Sequence, residues 1–177
     1  MIEYQIKGLV LDKTVVNEVD YSYVILTAEF GKVKAKAGSA GKITSKLAGH
    51  LEPGSFSSLR LVRKTHDSNL RLAEALLVDK VSGPEYMRTL DLINSIIPFE
   101  FPDEIFFDGV VNNLLSGRND SNLILSLAGY DPKYAKCGIC GSEKIVYFSK
   151  SNIIFLCQSC LSRSLRSVRE KRSGESF

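Results

Sequence analysis

KCGICGSEKIVYFSKSNIIFLCQSC, residues 136–160, holds all four cysteines of the chain, and their arrangement decides what this region is. Cys137 and Cys140 form one C-x-x-C pair, Cys157 and Cys160 a second, with sixteen residues between the pairs. That spacing lies in the range of a zinc site. Each pair makes a tight turn that aims two thiolates the same way, and a hairpin between them sets the turns face to face, completing a tetrahedron of sulfurs. KIVYFSK and SNIIFLC are apolar, β-prone runs parted at Lys150, Ser151 and Asn152, which predicts that hairpin, and Gly141 suits the first turn. The pattern is a zinc ribbon with one structural ion, because four sulfur ligands leave no open coordination position. Metal binding of this kind contributes on the order of 10 kcal/mol to local folding. A redox dithiol would open a helix after a strand, and neither pair has that context.

Outward from the ribbon, 177 residues and 44% hydrophobic content predict a folded chain of one or two domains. The start, MIEYQIKGLVLDK, lacks a cationic segment followed by an apolar stretch, and no apolar run approaches the roughly 18–20 residues of a bilayer span. The expectation is a cytoplasmic protein, where thiols stay reduced and paired cysteines hold metal rather than disulfides.

From Met1 to about Lys80, β-prone runs recur between turn residues: YQIKGLVL, YSYVILTA, KVKAKA, SSLRLVRK and RLAEALLV. Five short strands in this length predict a small OB-fold barrel, although the leucines of the last run also fit helical spacing. From Gly83 to about Tyr130 the pattern turns helical. Pro84 opens one helix through Ile97, Pro102 with Asp103 and Glu104 begins a second through Leu115, and Asp120 or Ser121 caps a third that Gly129 stops. The predicted fold class is α+β: an N-terminal OB-fold barrel over 1–80, then a small helical domain over 81–177 carrying a four-cysteine ribbon at about 134–163. Its basic tail is expected to be partly disordered.

Charge is uneven. Residues 31–66 carry Lys32, Lys34, Lys36, Lys42, Lys46, Arg60, Arg63 and Lys64 against Glu52 alone, a net of +7, whereas residues 79–120 net −5. Lys32, Lys34 and Lys36 alternate, so a strand would project them from one face as a row that tracks a phosphate backbone. These eight cations are the candidate DNA-binding residues. Tyr21, Tyr23, Phe30 and Phe56 suit base stacking or, more commonly in a small barrel, the core.

No catalytic constellation emerges. AGSAGKIT has two residues between Gly38 and Gly41, too few for a P-loop. His50 and His66 belong to no HExxH. Asp103 and Glu104 fit the helix dipole better than a nuclease metal. The chain reads as a non-enzyme without a small-molecule substrate.

TAEFGKVKAKAGSAGKITSKLAGHLEP, residues 27–53, resembles the first domain of the RecO family. LSLAGYDPKYAKCGICG, residues 125–141, and VYFSKSNIIFLCQSC are similar to that family's approach to its zinc module and to the ribbon itself. The resemblance implies a bacterial recombination and repair mediator that binds single-stranded and duplex DNA and anneals complementary strands. It further implies contact with the SSB C-terminal tail, RecA loading with RecR, and association with the nucleoid. Three departures stand out: Gly38-Ser39-Ala40-Gly41 replaces a basic patch, Asn152-Ile153-Ile154 replaces hairpin glycines, and the chain is short. Two alternatives share this build, an RNA-binding accessory protein and an interaction scaffold with weak DNA binding.

Overall fold

The long strand β1 (Ile2–Val15) shapes the first half of the molecule. The computed structural model describes residues 1–41, 45, 47–64, 69–83 and 85–173. The register of β1 shifts between Val10 and Asp12. Through Ile2–Leu9 it pairs with β4 (Ser55–Arg63), and through Gly8–Val15 with β2 (Tyr21–Thr27). One strand shared in this way between two neighbours bends the sheet round on itself. β3 (Gly31–Ala37) lies antiparallel to β2, and β5 (Leu70–Lys80) antiparallel to β4. β5 then closes on β3 in parallel, at Ala35↔Leu70 and Lys36↔Arg71. The order β1-β2-β3-β5-β4 is a closed five-stranded barrel, the OB-fold read from the sequence. RLAEALLV is strand and not helix because Leu70 and Leu72 alternate into the barrel core.

Ile6, Val10, Tyr23, Ile25, Val33, Ala35, Leu59 and Leu61 complete that core. In β1, Gly8, Leu9, Val10 and Leu11 are buried in succession, so the outer face is covered as well. A helix supplies the cover: α1 (Tyr86–Ile96) packs on β1 and buries Leu90, Ile93 and Ile96. Pro84, expected to open this helix, lies outside the described residues. α2 (Glu104–Leu115) buries Phe106, Phe107, Val110 and Leu114, and the Phe107 ring meets Phe56 of β4 at 6.4 Å. Asp103 caps α2 by accepting a hydrogen bond from the Phe106 N–H at 2.8 Å, as acids placed just after a proline predict. α3 (Ser121–Leu127) is capped by Asp120, whose Oδ1 accepts from the Asn122 and Leu123 amides.

The chain divides into two compact units, residues 1–124 and 125–177. In the second, the Gly129 and Tyr130 amides donate back to the Ser126 and Leu125 carbonyls just past the end of α3. A short hairpin of β6 (Ile145–Ser149) and β7 (Ile154–Cys157) follows, then α4 (Gln158–Ser173). Tyr130, Phe148 and Phe155 pack edge to face or tilted along the hairpin, with ring centroids 5.8 and 4.9 Å apart. No helix among the described residues is long and apolar enough to cross a membrane.

Candidate metal centre and nucleic-acid interface

The first cysteine turn is built by backbone hydrogen bonds. The Gly141 amide donates to the Cys137 carbonyl at 2.9 Å, the Cys137 amide to Ser142, and the Gly138 amide to Phe155 of β7. Gly141 has φ +74°, a conformation that favours glycine and that turns the chain back toward the sulfurs. Cys157 ends β7 and Cys160 lies in the first turn of α4, so strand and helix present the second pair. The four Sγ atoms lie within 4.8 Å of one another, with Cys140 and Cys157 at 3.6 Å. Disulfides would require about 2.05 Å. A tetrahedral zinc with Zn–S of about 2.3 Å sets its sulfurs about 3.8 Å apart, and this cluster matches.

The electrostatics agree. Backbone amides of Cys157, Cys140 and Ile139 pull the Cys137 thiol down to about 6. Burial and proton sharing with its neighbours push Cys160 up to about 12. Four thiols this close cannot all ionise alone, and a divalent cation among them removes the conflict. In the hairpin, Ile153 adopts φ +54°. A β-branched side chain is strained there.

The barrel distributes the eight candidate cations unevenly. Lys34 and Lys36 project from β3 into solvent, but Lys32 does not join them and is only 4% exposed. Its ammonium donates to the Asn94 carbonyl at 2.6 Å and lies 4.3 Å from the Phe99 ring centroid. Asn94 is in the last turn of α1, where carbonyls lack helical partners and a cation is favoured. Burial pushes the Lys32 ammonium below the ordinary lysine value. The expected row of three is a row of two, because the segment after α1 folds over the start of β3: the Glu100 amide donates to the Lys32 carbonyl, and a Cβ on Gly31 would sit 2.2 Å from the Phe101 oxygen.

Arg60 lies between two carboxylates, 3.2 Å from Glu3 and close against Glu74. Arg63 is half-buried, and Lys64 is exposed just beyond β4. Lys42, Lys46 and His66 lie outside the described residues. Tyr23 is fully buried in the core, with Tyr21 and Phe30 packed against it. His50 accepts from the Leu77 amide through Nδ1.

Where β3 and β5 close the barrel, a cleft of about 520 Å³ opens, lined by Lys36, Lys64 and Arg71, with Val16, Asp20 and Tyr21 on its other side. It draws Val16 and Asp20 from the β1–β2 connection and Lys64 from the end of β4, and OB-folds take oligonucleotides beside these two connections. Arg71 was missed in the sequence, although its position between buried Leu70 and Leu72 marks it as outward-facing.

Residues 1–80 match the family described as Recombination protein O N terminal. Three relatives are named DNA repair protein RecO. The one from Desulforudis audaxviator is 28% identical over 92% of this chain and 72% of its own length. That from Thermodesulfovibrio yellowstonii is 24% identical over 91% and 71%. The Bacillus pumilus protein is 25% identical over 89% and 68%. The chain is thus similar to RecO proteins over about nine-tenths of its length, and its barrel coincides with the stretch that the family model matches.

Proposed function

We propose that this protein acts in DNA repair as a recombination mediator: it binds and anneals single-stranded DNA and, with RecR, helps load RecA on SSB-coated strands. The observation that carries the reading is the convergence of Lys36, Lys64 and Arg71 on one cleft of an OB-fold, with Lys34 exposed on the same strand as Lys36. Phosphate contacts of this kind give affinity without sequence preference, as a mediator requires. Duplex DNA is a further ligand on the same grounds. The reading makes the protein a non-enzyme of the bacterial cytoplasm associated with the nucleoid. The SSB tail and RecR are its protein partners. In the same reading residues 1–80 form the DNA platform and residues 81–177 the helical, ribbon-bearing part.

Cys137, Cys140, Cys157 and Cys160 would hold one zinc ion, which supplies folding energy to the hairpin and takes no part in chemistry. An interaction scaffold with weak DNA binding draws on a specific observation too, since Lys32 is buried and Arg60 is held by Glu3 and Glu74.

Titrating a fluorescent single-stranded oligomer at several salt concentrations separates the two. Replacing Lys36, Lys64 and Arg71 with Ala should flatten the log-log salt slope by about 2, at about 0.7 per lost phosphate contact. RecR binding with no salt-dependent DNA affinity in the wild type would instead support the scaffold. An equal or tighter grip on the matched RNA oligomer would move the reading to RNA.

A further inference from the structure

The net charge of +3 is not carried where the barrel would suggest. Residues 1–124 hold fourteen cations and sixteen acids, a net of −2, whereas residues 125–177 hold nine cations and four acids, a net of +5. The ribbon-bearing unit is therefore the polyanion-seeking half of the chain. Five of its cations fall between Arg163 and Arg172, and three flank the first cysteine turn. Lys133 belongs to the short Pro132–Tyr134 turn, Lys136 directly precedes Cys137, and Lys144 follows the Ser142 hydroxyl that its own amide contacts. Lys136 faces Glu143 at 3.1 Å, but both are well exposed, and such a pair contributes little and exchanges readily for phosphate.

The tyrosines sort in the same direction, the two exposed ones both lying in the ribbon-bearing unit. In the barrel Tyr23 is spent on the core, and Tyr21 and Phe30 lean on it. In the ribbon unit Tyr130, Phe148 and Phe155 do the packing, which leaves Tyr134 75% exposed and Tyr147 48% exposed. The Lys133 ammonium sits 5.4 Å from the Tyr134 ring centroid. An exposed ring beside a cation is the pairing that takes an unstacked base and its phosphate together.

We infer that the region of the first cysteine turn, with Lys133, Lys136 and Lys144 and the exposed rings of Tyr134 and Tyr147, is a second single-stranded DNA surface that holds bases by stacking, while the barrel cleft holds phosphates. It rests on the annealing function proposed above and extends it: one chain holds two strands at once.

The test uses the full-length protein and a short fluorescent oligothymidine, read as oligomers bound per chain at low salt, together with the annealing rate of complementary strands. Lys133, Lys136 and Lys144 are replaced by Gln and Tyr134 by Ser, and zinc content reports whether the ribbon stays folded. The wild type should bind two oligomers. The ribbon variant should keep its zinc and bind one, with affinity at the lost site falling about fivefold per lysine near 0.1 M salt, and it should anneal slowly. One oligomer per wild-type chain, or a ribbon variant that still binds two and anneals normally, overturns the inference and leaves the barrel reading intact. Loss of one oligomer in the ribbon variant, with no change when Lys36, Lys64 and Arg71 are replaced, upholds the inference and removes the barrel reading.

Discussion

Lys32 is the residue on which sequence and structure part most sharply, and Lys32→Met separates the two accounts. Methionine keeps most of the buried stem and removes the charge and the donor. The lost hydrogen bond to the Asn94 carbonyl is a charged-group bond worth about 1.5–3 kcal/mol. The contact with the Phe99 face adds about 0.5–1 kcal/mol. Against these stands the relief of a charge held at 4% exposure, a cost already visible in the direction of its pKa. The net expectation is a loss of about 1–2 kcal/mol in urea unfolding, or about 2–8 °C in melting temperature. Salt dependence of DNA binding should stay at the wild-type slope. The wild type's advantage should also change with pH. A folded pKa below 10.5 means that the unfolded chain binds more protons as pH rises toward 10.5, so wild-type stability should climb relative to the variant in that window. Unchanged stability together with a slope flattened by about 0.7 would refute this account and return Lys32 to the phosphate-contacting row.

Three other outcomes follow from the geometry. Cys160→Ser should release the metal and abolish protection of the hairpin amides while barrel amides keep theirs, read by hydrogen exchange and zinc content. Tyr23→Phe should be neutral or stabilising by up to about 1 kcal/mol, because the buried hydroxyl has no hydrogen-bond partner among the described residues. Burial, with Glu52 and Tyr21 adding to it, raises that phenol from 10.0 to about 12. The wild type should therefore lose stability relative to Tyr23→Phe as pH climbs from 10.0 toward 12. Ile153→Gly should relieve the left-handed strain at the hairpin tip and raise the unfolding midpoint by the equivalent of about 1 kcal/mol; an unchanged or lowered midpoint would show that the position is not strained.

The ribbon was legible because ligand spacing is a local property: two C-x-x-C turns and a β-prone hairpin fix the cluster wherever the rest of the chain goes. The five strands were legible for a similar reason, with turn residues between β-prone runs. What the sequence could not show was the far side of each strand. Lys32, Lys34 and Lys36 share one alternation, yet only the first meets the segment that returns after α1, some sixty residues later in the chain. Arg60 looked like a DNA contact because Glu3 and Glu74 are distant in sequence and adjacent in the sheet. Arg71 was overlooked because what sets it beside Lys36 is a parallel strand pairing that no local pattern announces.

That pairing carries one more consequence. Among the described residues, two pairs join β3 to β5, and one of them sets Lys36 opposite Arg71. Like charges on paired residues repel, so this seam is the weakest line in the wall when the protein is alone in dilute buffer. A phosphate lodged between the two cations turns the repulsion into attraction. On the proposed function, strand capture and closure of the barrel would be one event, and DNA or added salt should tighten the seam before any other part of the fold responds.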